Sequence, residues 1–291
     1  MTAASGLVIV DKPAGMTSHD VVARIRRMAG TRRVGHAGTL DPMATGVLVI
    51  GVEKATRLLG HLTMADKEYQ ATIRLGQATG TDDAEGAVTG GASAAGVSTQ
   101  ALNDAVVPLT GDIQQVPPGV SAIKVGGKRA YRLTREGAAP ELAARPVTVR
   151  AFDIGAVRRD GDLLDVDVTV TCSSGTYIRA LARDLGRALG VGGHLTYLRR
   201  VRSGAYRIDA ARTLDELADG FEVTPLADAA AAAFPRLDVT EEQARTVSHG
   251  GRLPAAGLGS GPAAVFGPDG GLLALVQEEN GQARPLAVFV P

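Results

Sequence analysis

The chain has 291 residues, of which 45% are hydrophobic, and it carries 31 basic and 31 acidic side chains. This length can bury the core of one large domain, or of a large domain with a small companion. No apolar run approaches the ~20 residues of a membrane span, no export signal is visible, and a single Cys172 allows no internal disulfide. We therefore expect a cytoplasmic protein without a membrane anchor.

The first predicted elements are a strand and a helix. Residues 7–10 are consecutive apolar residues, which is typical of a short buried strand. Thr17 or Ser18 can cap a following helix, and Gly30 can end it. Between these ends, apolar side chains recur at helical spacing, at Val21, Val22, Ile25 and Met28.

The next segment, residues 35–46 with the sequence GHAGTLDPMATG, sets one carboxylate in a loop that contains several glycines. Glycines in such a loop allow positive φ or a close approach of a ligand, and Pro42 fixes φ directly after Asp41. The side chain of Asp41 is therefore aimed, as a nucleophile or general base must be. An isolated Asp-Pro pair is more often an ordinary turn, but here many neighbouring positions are specified as well.

Further strands and helices follow from apolar periodicity. The pattern predicts a strand over 47–52, a helix from about 53 to 64, and a strand whose one face carries Tyr69, Ala71, Ile73 and Leu75. Adjacent antiparallel strands with helices between the groups predict an α+β fold. Two more elements complete the set: a hairpin of 147–157 and 163–172 around the turn Asp160-Gly161, and a helix over about 176–189.

Two segments interrupt this core. Residues 90–98 are rich in Gly, Ala and Ser and predict a surface loop, whereas the basic segment 117–146 is a long insertion of the kind that is usually functional. An alanine run marks a boundary after about residue 225. The predicted domains are therefore 1–225, which includes the insertion, and 226–291, with short strands at 263–266, 272–277 and 286–290.

Charge is distributed unevenly along the chain. Residues 176–207 contain seven arginines against the lone acid Asp184, and residues 124–135 contain five basic residues and no acid. Acids cluster elsewhere, as at Asp82 and Asp83. A net charge of zero argues weakly against a nucleic-acid binder, but a basic face is the expected footprint for phosphate binding. Either cluster alone would be ordinary solvated arginine.

Several motifs together carry a family resemblance. Residues 35–48 resemble the signature of the bacterial tRNA pseudouridine-55 synthases, the TruB family, and further family motifs follow in order and spacing at 11–18, 67–69, 74–76, 121–124, 175–179 and 197–200. The resemblance is strong over about 6–210. It implies a mixed, largely antiparallel pseudouridine synthase sheet with flanking helices, a basic insertion that closes on the RNA stem, and a small β-rich C-terminal domain that is RNA-binding-like.

The resemblance also implies a reaction and a substrate. The chain would be an isomerase that converts uridine 55 in the T loop of tRNA to pseudouridine, with Asp41 acting on a flipped-out base. Arg179 would pair with the Asp41 carboxylate through two hydrogen bonds, where lysine could not. Without the motif, an arginine in a first helical turn would simply be solvated.

Four more positions would bind the substrate. Tyr69 would form a plate on which the flipped uracil stacks, and Tyr177 would act similarly. His36 would stack within the opened T loop, and Leu198 would contact the target nucleoside. The alternative for Tyr69 and Leu198 is core packing, and a lone histidine is usually structural. Lys12 would shape the floor of the pocket rather than react.

The chemistry leaves open what Asp41 does. The reaction breaks the bond from N1 to C1' and joins C5 to C1', and Asp41 could attack C1', attack C6 or deprotonate C2'. No step needs a cofactor, and no second His or Cys stands at ligand spacing, so we expect no metal. The implied partner is the tRNA T stem-loop. We expect a monomer without an obligate protein partner.

Two other functions compete with this interpretation. One is a non-catalytic tRNA-binding or RNA-folding protein on the same scaffold, which would not need an aimed Asp41. The other, weaker alternative is a carboxylate glycosidase or nucleoside hydrolase, which needs a second acid that the sequence does not pair with Asp41.

Overall fold

The structure, a computed structural model, describes residues 4–120, 124–125, 128–129 and 142–290, so most of the predicted insertion lies outside the described residues. The described strands are β1 (Gly6–Lys12), β2 (Val34–Ala37), β3 (Thr45–Val52), β4 (Lys67–Leu75), β5 (Ala78–Thr79), β6 (Val88–Gly90), β7 (Gly111–Gln115), β8 (Lys124–Val125), β9 (Lys128–Arg129), β10 (Arg145–Asp160), β11 (Leu163–Cys172), β12 (Gly193–Ser203), β13 (Tyr206–Arg207), β14 (Thr224–Pro225), β15 (Arg236–Asp238), β16 (Leu253–Pro254), β17 (Pro262–Phe266), β18 (Leu272–Glu279) and β19 (Gln282–Val288). The described α-helices are α1 (Ser18–Ala29), α2 (Leu59–Thr63), α3 (Thr99–Val106), α4 (Ile178–Ala188), α5 (Leu214–Asp219), α6 (Leu226–Ala233) and α7 (Glu241–Ser248). None of these helices combines the length and the apolar character that crossing a membrane would require.

Helix α1 has the predicted ends because both caps are local. The Asp20 N–H donates to Thr17 Oγ1 at 3.1 Å, and the Asp20 carboxylate accepts from the Thr17 N–H at 2.9 Å, which forms a capping box. Gly30 ends the helix in the left-handed conformation at φ 64. The amphipathic pattern is confirmed, because the side chains of Val21, Val22 and Ile25 are buried.

Contacts divide the chain into two compact units. The first contains Met1–Ala65 and Arg202–Pro291. One of its sheets places β1 between β14 and β3, with β2 on the other side of β3, and all of these pairs are antiparallel. The other sheet has the order β15-β17-β18-β19-β16, in which only β15 and β17 run parallel among the described pairs. One apolar cluster joins Leu7, Val49, Ala230 and Phe266 of this unit.

The second unit, Asp66–Val201, is built on the strand order β12-β4-β11-β10-β7. Tyr69, Ala71 and Ile73 alternate with more exposed residues on β4 and are buried, as predicted. The predicted hairpin is also confirmed, since β10 and β11 pair antiparallel. Helix α4 approaches the sheet so closely that a Cβ on Gly186 would lie 2.2 Å from the backbone N of Gly193, the first residue of β12.

One predicted element is wrong in part. Instead of one helix over 53–64, the chain forms a 3₁₀ turn, Glu53–Arg57, and then the short helix α2. The Leu58 N–H donates to the Ala55 carbonyl at 3.0 Å, three residues back rather than four. The apolar pattern cannot distinguish these two hydrogen-bond spacings. The α+β class and the C-terminal strands are confirmed, whereas the boundary between 225 and 226 stays a prediction.

Candidate active site

The loop that carries Asp41 is held on both sides of this residue. Before it, the Leu40 N–H donates to Ser18 Oγ at 2.9 Å, and Ser18 Oγ donates back to the Leu40 carbonyl at 3.1 Å. After it, the Pro42 carbonyl accepts from the Gly15 N–H at 2.8 Å. Gly38 lies at φ 82, a left-handed conformation that favours glycine. The backbone that carries the Asp41 carboxylate is therefore fixed within the first unit.

The side chain of Lys12 also binds the backbone of this loop. Its side chain is fully buried, and Nζ donates to the carbonyls of Pro13 at 2.8 Å, Met16 at 2.6 Å and Pro42 at 3.2 Å. Three carbonyl acceptors offset part of the cost of burying the ammonium group. Lys12 thus holds the backbone of the loop together, whereas its role in shaping the floor of a pocket stays a prediction.

His36 lies on β2, which leads into the Asp41 loop. Its ring meets the ring of His19 edge to face, with the centroids 5.5 Å apart and the planes at 81°. This geometry is a favourable aromatic contact. His36 and Asp41 belong to the same unit, and the strand that carries His36 directly precedes the Asp41 loop.

The other four predicted site residues lie in the second unit. Tyr69 on β4 and Leu198 on the neighbouring β12 are both buried. Lys67 and Arg200 are buried on the same two strands, two residues away from Tyr69 and Leu198 respectively. Burial lowers the pKa of Lys67 to about 8, and the charge of Arg200 acts in the same direction. Cys172 is also buried, and burial raises the pKa of its thiol to about 11.

Arg179, near the start of α4, is almost fully enclosed rather than solvated. Nη1 donates to the Thr81 carbonyl at 2.9 Å and lies 3.5 Å from Asp83 Oδ2, while Nη2 donates to the Val120 carbonyl at 3.0 Å. The planar guanidinium can reach these separate acceptors at once. The orientation of Arg179 is therefore fixed inside the second unit, and its predicted pairing with Asp41 stays a prediction.

Asp82 and Asp83 contact arginines of α4, although we expected these acids to cluster away from the basic residues. Asp83 pairs with Arg179, and Asp82 Oδ2 lies 3.1 Å from Arg183 Nη1. The expectation that these acids cluster elsewhere is wrong, because the chain folds the turn after β5 onto α4. Burial raises the pKa of Asp82, and this effect outweighs the opposing charge of Arg183.

Sequence reasoning therefore missed two residues that contact predicted site residues, since Asp83 contacts Arg179 and Gln115 contacts Tyr177. It also missed Arg183, which contacts the Val116 carbonyl beside Gln115. The acid pair at 82–83 was the one available signal, since a buried arginine requires an acidic partner. Among the described residues, no group of three or more His, Cys, Asp or Glu side chains could hold a metal ion.

Matches to known families cover almost the whole chain. Residues 26–178 match the family described as TruB family pseudouridylate synthase (N terminal domain). Residues 179–230 match the tRNA pseudouridylate synthase B C-terminal domain, and residues 234–290 match tRNA Pseudouridine synthase II, C terminal.

Similar proteins extend over the same length. Proteins named tRNA pseudouridine synthase B are 59% identical in Arthrobacter sp. strain FB24, over 99% of this chain and 97% of the relative, and 60% identical in Streptomyces coelicolor, over 99% and 98%. The chain also resembles one in a crystal structure of a Cbf5-Nop10-Gar1 complex, with a TM-score of 0.75 and 28% identity over 98% of this chain and 85% of that chain. A chain of the archaeal box H/ACA sRNP Nop10-Cbf5 complex gives a TM-score of 0.72 and 27% identity, over 100% and 88%. Because the N-terminal family match spans more than half of the residues and the relatives extend over nearly all of them, the chain belongs to the TruB family of pseudouridylate synthases, which are isomerases.

Proposed function

We propose that this chain converts uridine 55 in the T loop of tRNA to pseudouridine and that Asp41 is the catalytic residue. The observation that carries the proposal is the loop around Asp41, whose neighbours Leu40 and Pro42 are each held by hydrogen bonds from outside the loop. A protein that only bound RNA would not need to aim one carboxylate in this way. The relatives named tRNA pseudouridine synthase B support tRNA as the substrate.

The reaction is a rearrangement within one nucleotide. The bond from N1 to C1' breaks, the uracil turns, and C5 bonds to C1', while C5 loses a proton and N1 gains one. Asp41 attacks C1' or C6, or deprotonates C2', so each route uses its carboxylate as a nucleophile or a base. Arg179 pairs with that carboxylate and orients it.

The remaining site residues hold the substrate. Tyr69 stacks on the flipped uracil, and Tyr177 and Leu198 line the same site. His36 stacks among the bases of the opened T loop. The protein acts as a monomer in the cytoplasm without an obligate protein partner, and residues 226–291 form a domain that contacts RNA.

The test uses a tRNA transcript that carries tritium at C5 of its uridines. Pseudouridine formation releases tritium because C5 exchanges its hydrogen for the bond to C1'. We expect release from the wild-type transcript, none from a transcript with cytidine at position 55, and none with Asp41→Asn. Binding of tRNA by Asp41→Asn should stay within about tenfold, since phosphate contacts supply the affinity.

The control is Asp153→Asn, which removes an exposed carboxylate from β10 and should leave turnover unchanged. Substantial turnover by clean Asp41→Asn protein would contradict the proposal. Tight tRNA binding by a wild-type protein that releases no tritium would favour the alternative of an RNA-folding protein.

A further inference from the structure

The side chain of Gln115 makes two hydrogen bonds to the backbone of Tyr177. Its Oε1 accepts from the Tyr177 N–H at 2.8 Å, and its Nε2 donates to the Tyr177 carbonyl at 3.1 Å. Gln115 is only 2% exposed, so these bonds are shielded from water. One carboxamide thus fixes the two peptide groups on either side of the Tyr177 Cα.

A constraint on the backbone of Tyr177 affects the start of helix α4. It directly precedes α4, and no side chain of its own caps this helix. The first N–H groups of a helix lack partners within the helix, so their orientation depends on outside contacts, whereas the Tyr177 carbonyl also accepts from the Leu181 N–H at 3.2 Å. Arg179 follows two residues later, and a shift of the Tyr177 peptide groups is passed on to its side chain.

The chain after Gln115 meets the same helix again. The Val116 carbonyl accepts from Arg183 Nη2 at 2.8 Å, and the Val120 carbonyl accepts from Arg179 Nη2 at 3.0 Å. Arg179 and Arg183 are one helical turn apart and therefore lie on one face of α4. Residues 115–120 and the first turns of α4 are thus joined at several separate points.

Gln115 also stands where the two ends of the basic insertion come together. It is the last residue of β7, and Arg145, the first residue of β10, is its antiparallel partner. The chain therefore leaves and re-enters the sheet at this pair of residues. The Gln115 side chain connects this base directly to Tyr177.

We infer that Gln115 is a positioning residue, which holds Tyr177 and Arg179 in their reactive orientation and links them to the base of the insertion. This inference rests on the proposed function, because it assigns the orientation of Arg179 a role in pseudouridine formation. Gln115 supplies no proton and forms no bond to the substrate; it acts through the backbone of Tyr177.

The deciding experiment is Gln115→Glu followed over pH. A carboxylate at this place accepts from the Tyr177 N–H, but its second oxygen faces the Tyr177 carbonyl and repels it. A protonated carboxyl group donates to that carbonyl and restores both bonds. The ordinary glutamate pKa is about 4.3, and burial beside a carbonyl raises it. The single-turnover rate relative to wild type should therefore be low at pH 8 and recover as the pH falls toward 6.

A neighbouring glutamine provides the matched control. Gln114 is exposed on the same strand, so Gln114→Glu makes the same charge change without reaching Tyr177, and its relative rate should be flat over pH. A flat, near-normal relative rate for Gln115→Glu would overturn the inference.

A second variant keeps the inference falsifiable if Gln115→Glu does not fold. Gln115→Met has a similar length but makes neither bond, and it should lower the single-turnover rate about tenfold or more, with the Kd for pseudouridine-containing product tRNA within about threefold. A wild-type rate in this variant, or a loss confined to Kd, would overturn the inference. If wild type is active and Asp41→Asn is not, the proposed function stands in either case, whereas an inactive wild type would overturn both.

Discussion

Arg179 and Asp83 form a buried ion pair in which Nη1 and Oδ2 lie 3.5 Å apart and each side chain is only 4% exposed. Asp83 is itself held in place, because its Oδ1 accepts from the Glu85 N–H at 3.1 Å and from the Thr81 hydroxyl. Asp83 lies in the turn between β5 and β6, so this pair connects Arg179 to that turn. Removing one member would leave a charge buried without its counter-charge.

We expect Asp83→Asn to lower the free energy of unfolding by about 3 kcal/mol, the typical cost of breaking a buried pair, and to lower the single-turnover rate. Denaturant unfolding measures the first effect. Asp209→Asn is the matched control, because its pair with Arg207 at 3.9 Å is exposed and contributes little. Equal stability of the two variants would contradict a structural role for the Asp83 pair.

Arg179→Lys should cost much more activity than its conserved charge suggests. Arg179 reaches the Thr81 carbonyl, the Val120 carbonyl and Asp83 with two different nitrogens, and a single ammonium cannot reproduce this spread. Single-turnover rates on the tritiated transcript measure the loss. Arg187→Lys, an exposed arginine on the same helix, should behave as wild type. A near-normal rate for Arg179→Lys would show that the guanidinium geometry has no role.

The parts of this fold that could be predicted from the sequence are those set by neighbours in the chain. The ends of α1 depend on Thr17 and Gly30, and the buried face of β4 follows from alternation, so both were predictable. The left-handed Gly38 in the Asp41 loop was predictable for the same reason, whereas the role of the Asp41 side chain stays a prediction. Its supports, Ser18 and Lys12, come from other elements and carry no local signal for this role.

The contacts of Arg179 were not predictable because their partners are distant in the sequence. The motif placed Arg179 correctly at the start of a helix, but its partners Thr81, Asp83 and Val120 come from two other segments. Apolar periodicity reports which side chains are buried, not which buried polar groups meet. The same reason explains why the contact between Gln115 and Tyr177 appears only in the folded chain.

The stability of the fold should respond to pH through Lys67. Burial lowers its pKa to about 8, below the ordinary value of 10.5, so between these pH values the unfolded chain binds more protons than the folded one. The contribution of Lys67 to the free energy of unfolding therefore increases as the pH rises from 8 to 10.5. Lys67→Met should lack that gain, whereas Lys54→Met, at a partly exposed lysine, should keep it. Parallel pH profiles for wild type and Lys67→Met would contradict this assignment.

Turnover should persist in excess EDTA without added nucleotide. The rearrangement of uridine is redox-neutral, and a carboxylate such as Asp41 can perform its covalent step without a Lewis acid. Because tRNA itself folds with cations, the substrate is folded beforehand in spermidine. A single-turnover rate that falls on chelation and returns with one added metal would contradict the prediction.

Binding of tRNA should depend strongly on salt although the chain carries no net charge. Each phosphate contact contributes about −0.7 to the slope of log K against log salt on single-stranded RNA. Neutralising Lys128, Arg129 and Arg132 of the insertion to glutamine should therefore weaken binding and make the slope shallower by up to about 2 units. Filter binding at a series of salt concentrations gives both quantities.

A second triple variant distinguishes a local contact with phosphates from a general effect of charge. Replacing Arg24, Arg27 and Arg33 by glutamine makes the same change in net charge at exposed positions of the first unit. If the insertion contacts phosphates, only the first triple variant loses slope, because counterion release counts the phosphates that are contacted rather than the total charge. Equal losses in both variants would indicate a diffuse attraction. An unchanged slope after neutralising the insertion would place the RNA on another face of the protein and would leave the insertion without a role in holding the stem.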